Sequence, residues 1–557
     1  MTLPNRIILI GPSGSGKTTI AERLGALTGY RVVDTDAAIV ERCNMPIAEF
    51  FERFGEPAFR AIETEELRRA CAQPGSIVAT GGGVVLSSAN WTAMRPDSVI
   101  VGVTARLETL VSRVVEHARR AGPSAERPLL AGDAGARLTR MLDSRAPLYA
   151  QADVTIHTDD LSPDEVASQA LRACVERHAR GLAPRLSFSS ATERSDIYVS
   201  RGARLNAATL IQERWPRALC AWIVSDTSVD RAWGDELAES LDTHSLTVNR
   251  LIVNPGERSK SMAEVERLCR EMTDGGVTRR DVVIALGGGV VGDLAGFVAS
   301  VCLRGLALAQ IPTSLLAMAD SSVGGKTGVN LPAGKNLAGA FYQPGIVLID
   351  PTYLSTLPRD EYRSGMAEVI KHSVIQPSTP LGDTTLGELL VAGALDPIPE
   401  EAIETALALN VAIKHSVVQQ DERESGLRMI LNLGHTTGHA IEAAGYRYRH
   451  GEAIAIGMAV AFRIAWKLGL VGGADVDAVE SLLRKAGLPT RFTGDVDDIV
   501  GRLARDKKMV DGSLHWILPR PQGGVQIVTG VSPAIVEGVI QDVQIGDDTA
   551  GDGAAVL

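Results

Sequence analysis

Along the first 180 residues, short apolar runs alternate with longer stretches whose apolar positions recur at helical spacing. The runs at 6–10, 30–33, 77–79, 99–103 and 154–157 read as buried strands. The helical period between them predicts parallel strands joined by crossovers, closing with a helix over 164–180. The next segment, 181–194, has no period and is rich in Ser, Gly and Pro, the composition of a linker. A second pattern follows, with strand-like runs at 197–200, 219–225, 248–253, 282–286, 307–311 and 346–349. After Pro351, helix formers at helical spacing dominate. The expected fold is α/β: a parallel-sheet domain over 1–180, the linker, a second sheet domain over 195–350 and a mainly helical domain over 351–545. The acidic, small-residue tail 546–557 is expected to be disordered.

The length of 557 residues agrees with this division, because a single hydrophobic core stops growing well short of it. With 45% hydrophobic and 22% charged residues the composition is that of an ordinary globular protein. No apolar run is long enough for a membrane span or a signal-peptide core, so a cytoplasmic location is expected. A formal charge of −11 disfavours non-specific nucleic-acid binding and places the cations that hold anionic substrates within local sites. Six scattered cysteines argue against a disulfide framework and against a thiolate zinc site, which leaves His and carboxylate as metal donors.

Gly11-Pro12-Ser13-Gly14-Ser15-Gly16-Lys17-Thr18-Thr19 follows the first strand and opens a helix. That is the P-loop arrangement, in which the backbone N–H groups of Gly14, Ser15, Gly16, Lys17, Thr18 and Thr19 can surround phosphate oxygens. Lys17 would neutralise the outer phosphates of ATP and Thr18 would coordinate Mg²⁺. Further on stand Asp34-Thr35-Asp36, Arg60 with Glu63, Gly81-Gly82-Gly83 after a strand, and Arg127 in a lid-like stretch. Taken one at a time these are ordinary: Arg60 and Glu63 are spaced as a surface helix pair, and Asp34 suits any nucleotide kinase.

Together they make the first domain resemble shikimate kinase along nearly its whole length. The resemblance implies that Asp34 lies near the Mg²⁺ and that Asp36 takes the shikimate hydroxyls and activates the attacking one. Arg60 and Arg145 would hold the carboxylate, Gly81, Gly82 and Gly83 would line the substrate pocket, and Arg127 would reach the transferring phosphoryl group.

In the second half, Gly287-Gly288-Gly289-Val290-Val291-Gly292-Asp293 follows a strand and opens a helix, a weak dinucleotide signal by itself. Around it, Glu257 with Lys260, Thr313 with Ser314, Asp320, Lys326, and Lys335 with Asn336 supply carboxylate, hydroxyl and ammonium groups. Downstream come Glu368 with Lys371 and His372, then Asn432, His435 and His439, then His450. His, His and Glu describe a zinc-type site with coordination positions left for substrate oxygens. Spacing alone pairs His435 with His439, which share a helix face.

This half, from about 195 to 546, resembles 3-dehydroquinate synthase. The resemblance makes Glu368, His435 and His450 the ligands of Zn²⁺ or Co²⁺, puts His439 near the substrate phosphate, and leaves His372 a supporting role. It assigns Lys371, Lys414, Arg428, Asn432 and one or both of Lys507 and Lys508, with Asp320, Lys326, Lys335 and Asn336, to the substrate. It assigns Asp226, Glu257, Lys260, Gly288, Gly289, Val290, Asp293, Thr313, Ser314 and Thr356 to NAD⁺, with Lys326 and Lys335 close by. A homodimer formed through this half is also implied. The expectation is therefore a two-enzyme chain. The alternatives are a P-loop kinase of other specificity fused to a cyclase for another sugar phosphate, or to a metal-dependent polyol dehydrogenase.

Overall fold

The computed structural model describes residues 3–95, 97–121, 138–139, 141–142, 145, 148–149, 151–179, 186–189, 194–244, 246–382, 384–422, 424, 426–445, 448–505, 509–510 and 513–545. Arg127, Lys507, Lys508, the tail 546–557 and much of 181–194 lie outside the described residues. Contacts divide the chain into two units, Met1–Tyr198 and Val199–Leu557.

The first unit is built on β1 (Arg6–Ile10), β2 (Arg31–Asp34), β3 (Ser76–Ala79), β4 (Ser98–Thr104) and β5 (Val154–His157), all parallel, in the order β2-β3-β1-β4-β5. The central strand β1 is apolar on both faces because both are covered. Ile7 and Leu9 pack with residues of the helices Lys17–Thr28 and Pro163–Ala179, while Ile8 and Ile10 pack with Leu67, Val84, Trp91 and Met94. The helix Ile47–Cys71 is broken at Gly55, whose φ of 78° is followed by Pro57; Arg60 and Glu63 lie beyond the break. Within the segment read as a linker, β6 (Leu186–Ser189) pairs antiparallel with β7 (Arg194–Val199).

In the second unit, β8 (Cys220–Asp226), β9 (Thr247–Val253), β10 (Val282–Gly287), β11 (Ala307–Pro312) and β14 (Ile346–Ile349) form parallel ladders in the order β14-β11-β10-β8-β9. Between β11 and β14 the chain folds into an antiparallel hairpin, β12 (Lys326–Leu331) and β13 (Gly334–Phe341). The sequence pattern does not predict that hairpin. After Pro351 the fold is helical, as expected, apart from short strand pairs such as Trp516–Pro519 with Val525–Val528. At its centre runs the helix His450–Lys467, apolar nearly all round and buried on almost every side. Its glycines let neighbours approach to backbone contact. A methyl group on Gly451 would lie 1.9 Å from Ser364 O in the helix Arg359–Ile375, and one on Gly457 would lie 1.9 Å from Gly434 O, just ahead of the helix His435–Ala443. Three helices carrying Glu368, His435 and His450 are thereby pressed together. Among the described residues, no helix is long and apolar enough to cross a membrane.

Candidate active sites

The phosphate loop leaves β1 and turns through Gly14 and Gly16, at φ 85° and 92°, conformations that only glycine adopts without strain. A methyl group on Gly14 would meet Leu110 O at 2.7 Å, so space as well as backbone angle requires glycine there. Lys17 Nζ donates to Gly11 O and Pro12 O, both at 2.9 Å, which holds the ammonium over the loop. Thr18 Oγ1 donates to Asp34 Oδ2 at 2.7 Å, while Asp34 Oδ1 caps the next helix by accepting from Asp36 N and Ala37 N. The Thr18–Asp34 pair is the hydroxyl-plus-carboxylate set that suits Mg²⁺ beside phosphates. Thr19 is the third residue of the helix that starts at Lys17.

Gly81, Gly82 and Gly83 bring the remaining groups together. A methyl group on Gly81 would lie 2.6 Å from Asp36 Oδ1 and 2.9 Å from Glu63 Oε1, and one on Gly83 would lie 2.1 Å from Arg60 Nη1. One on Gly82 would lie 3.5 Å from Ser13 N in the phosphate loop. Arg145 Nη1 and Tyr149 Oη both donate to Gly82 O, at 3.0 and 2.6 Å. Arg60 pairs with Glu63 at 2.8 Å and with Glu56 at 2.9 Å. Glu63 is buried, which pushes its carboxyl up while Arg60 pulls it back. The described residues thus place Asp36, Arg60 and Arg145 around one glycine turn next to the phosphate loop.

In the second unit, Gly288 caps the helix Gly289–Val301, which includes Val290 and opens at the end of β10. Methyl groups on Gly288 and Gly289 would lie 3.3 Å from Ser314 Oγ and 3.1 Å from Ser321 Oγ, so the turn lies flat against the chain that follows β11. Thr313 N donates to Gly287 O at 2.9 Å. Lys260 pairs with Asp293 at 2.5 Å, and burial pushes the Asp293 carboxyl up while Lys260 lowers it. Glu257 Oε1 accepts from Asn330 Nδ2 at 2.8 Å, and Asn330 Oδ1 accepts from Asn336 N at 2.9 Å. Asp226 caps the turn after β8, accepting from Ser228 N and Val229 N. Thr356 Oγ1 accepts from Trp233 Nε1 at 2.9 Å.

Donor atoms of Glu368, His435 and His450 lie within 4.8 Å of one another. Glu368 Oε1 is 3.5 Å from His435 Nε2 and 3.4 Å from His450 Nε2. Donors about 2.0–2.2 Å from a tetrahedral metal ion stand roughly 3.3–3.6 Å apart, so the spacing fits a divalent cation. Both Glu368 oxygens are buried without a well-directed hydrogen bond, although Oε2 faces Lys371 Nζ as an ion pair. Burial pushes the Glu368 carboxyl up, but Lys371 holds it below the usual carboxylate range. Burial and then Lys371 hold His435 well below the ordinary imidazole value, which leaves it a neutral donor. His439 stands with its ring 5.2 Å from that of His435, outside the Glu368 cluster. The i, i+4 pairing suggested by spacing is thus not the arrangement that meets the carboxylate; His450, from another helix, completes it.

Cations surround this cluster. Lys414 pairs with Asp320 at 2.5 Å, and Arg428 Nη2 donates to Gly324 O at 3.0 Å. Burial lowers both Lys414 and Arg428, while Asp320 and Glu424 respectively pull them back up. His372 Nδ1 meets Asn410 Oδ1 at 2.9 Å, and Asn410 Nδ2 donates to Ala319 O, so His372 is braced from behind. Asp320, Glu368 and His372 also lie close enough to hold a metal, but Lys414 already pairs with Asp320 and His372 Nδ1 is taken up by Asn410.

Two carboxylates escaped the sequence reading. Glu424 accepts from Asn432 Nδ2 at 3.2 Å and pairs with Lys326 at 2.5 Å. It sits in an acidic stretch that looks like a solvated loop. Glu442 pairs with His450 Nδ1 and with Lys335, each at 3.3 Å. Its signal was available, because Glu442 follows His435 and His439 at i+7 and i+3 on one helix face.

Fold and sites define two catalysts in one chain: a P-loop phosphotransferase, and an α/β-plus-helical unit whose two histidines and glutamate lie among lysines and arginine. Residues 13–175 match the family model for shikimate kinase, and 250–364 and 365–509 match those for the N-terminal and C-terminal parts of 3-dehydroquinate synthase. The 3-dehydroquinate synthase of Synechococcus sp. is 44% identical over 355 residues, which cover 62% of this chain and 95% of the relative. Among solved structures, 2-deoxy-scyllo-inosose synthase complexed with carbaglucose-6-phosphate, NAD⁺ and Co²⁺ aligns with a TM-score of 0.58 at 29% identity, over 64% of this chain and 99% of that one. ValA, the 2-epi-5-epi-valiolone synthase from Streptomyces hygroscopicus with NAD⁺ and Zn²⁺ bound, aligns with a TM-score of 0.57 at 28% identity, over 64% and 98%. The chain belongs to the 3-dehydroquinate synthase family and carries a shikimate kinase domain ahead of the synthase.

Proposed function

We propose that the first unit phosphorylates shikimate from Mg-ATP, giving shikimate 3-phosphate. The second unit converts 3-deoxy-D-arabino-heptulosonate 7-phosphate to 3-dehydroquinate with release of phosphate, using NAD⁺ and Zn²⁺ or Co²⁺. The observation that carries the synthase reading is the convergence of Glu368, His435 and His450 with Lys371, Lys414 and Arg428 around them. When bound, NAD⁺ takes up and returns one hydride, and the metal withdraws charge from the hydroxyl being oxidised. Lys371, Lys414 and Arg428 supply the positive charge that a substrate carrying both carboxylate and phosphate requires. Lys326 and Asn432, brought together by Glu424, add further donors. In the kinase unit, Asp36 accepts the proton of the attacking hydroxyl, Arg60 and Arg145 bind the carboxylate, and Lys17 steadies the transferring phosphoryl group. On the family resemblance the protein is cytoplasmic and dimerises through the synthase unit, which sedimentation of the purified chain checks.

Assays on the full chain test both halves. Incubated with the heptulosonate phosphate and catalytic NAD⁺, it should release phosphate with no net NADH. Accumulating NADH would mark a polyol dehydrogenase, and phosphate release only from a sugar phosphate lacking the carboxylate would mark another cyclase. With Mg-ATP, turnover should be selective for shikimate over gluconate and nucleoside monophosphates.

A further inference from the structure

His450 faces two carboxylates through opposite ring nitrogens. Nε2 lies 3.4 Å from Glu368 Oε1, on the side where His435 converges. Nδ1 lies 3.3 Å from Glu442 Oε2, and the other oxygen of Glu442 lies 3.3 Å from Lys335 Nζ. The side chain of Glu442 is only 14% exposed, so its carboxylate is largely shielded from water, whereas that of Lys335 is 59% exposed. A neutral imidazole carries one N–H and one lone pair, and a partner that accepts from one nitrogen fixes the lone pair on the other.

Resting on the proposed metal reading, we infer that Glu442 is a positioning residue: it accepts the Nδ1–H of His450, thereby presents Nε2 to the metal, and ties that ligand through Lys335 to the β12–β13 hairpin. Lys335 and Asn336 both stand on β13, so the contact links the metal ligand to a strand assigned to the organic ligands. His439, Glu442 and His450 also lie close enough together to suggest a second metal site. That alternative would require His450 to donate from both nitrogens at once, which only a deprotonated ring can do. Accepting an N–H is the role that fits the carboxylate.

The test uses the full chain, stripped of metal by chelation and titrated with Co²⁺ against a chromophoric chelator. Wild type should bind one Co²⁺ per chain at this site. Glu442→Ala should bind it about 10- to 100-fold more weakly, with an altered visible Co²⁺ spectrum. Glu442→Gln, which keeps an acceptor oxygen but loses the charge, should fall between the two. An unchanged denaturant midpoint for the unit Val199–Leu557, read on the metal-free chains, shows that the variants are folded. Wild-type affinity and spectrum in Glu442→Ala would overturn the role of Glu442 alone. A second Co²⁺ per wild-type chain that disappears in His439→Ala would overturn it in favour of a second metal site. No Co²⁺ binding by wild type would overturn the metal reading and this inference with it.

Discussion

At the scale of single residues, both sites are shaped as much by missing side chains as by charged ones. Gly81 is the clearest case, because its backbone fills the angle between Asp36 and Glu63 and leaves no room for a methyl group. In Gly81→Ala the methyl must displace a buried carboxylate or the turn itself. Shifting the Asp36 carboxylate by such a distance should cost about 100-fold in kcat/KM for shikimate. ATP binding and synthase activity should stay unchanged. Steady-state kinetics of both reactions on one preparation decide it; a variant with wild-type kinase activity would show that the turn does not position Asp36. The residue types at these sites were legible in the sequence, because P-loop glycines, a lysine and paired aspartates occur close together along the chain. Glu424 was not, since what distinguishes it from a solvated acid is Lys326, remote in sequence, and Asn432 on the following turn. Glu442 was half legible: it shares a helix face with His435 and His439, but its partners His450 and Lys335 lie on other elements.

At the scale of elements, most strands buried on both faces were readable to within a residue or two, because a continuous apolar run bounded by turn residues has few other uses; β7 starts at Arg194, ahead of the run expected at 197–200. The β12–β13 hairpin was not, since Lys326-Thr327-Gly328-Val329-Asn330-Leu331 is half polar and owes its strand state to pairing with β13 and packing on the helix Gly289–Val301. The metal-type cluster was half legible. Periodicity ties His435 to His439, but only packing brings the first residue of one helix, His450, against the middle of another at Glu368. That packing depends on Gly451 and Gly457. In Gly457→Ala a methyl group would overlap the Gly434 carbonyl, so the helix His450–Lys467 must move away from the helix that His435 begins. Overpacking of this kind costs about 1–3 kcal/mol. The variant should unfold earlier in denaturant in its synthase transition, and its metal affinity should fall as His435 and His450 separate. Unchanged stability with unchanged metal binding would show that the three helices tolerate a wider spacing.

At the scale of the whole molecule, each unit has a sheet with its own buried residues, and each proposed site is assembled from residues of one unit. The shikimate kinase match ends at 175 and the synthase matches begin at 250, so the two family segments do not overlap. The proposed reactions give the same independence, because 3-dehydroquinate, the product proposed for the synthase, is a different compound from the shikimate proposed for the kinase. No product passes directly between the sites, and fusion should contribute nothing to either kcat. Dividing the gene within 180–185, ahead of the β6–β7 hairpin, should therefore yield two folded proteins whose kcat and KM equal those of the intact chain. Metal dependence should then segregate: chelation followed by buffer exchange should silence the synthase fragment until Co²⁺ or Zn²⁺ is restored, while the kinase fragment needs only fresh Mg-ATP. If either fragment is insoluble, or if mixing the fragments restores a rate that each lacks alone, the two halves depend on each other for folding or catalysis, and the fusion is more than a covalent link between two complete enzymes.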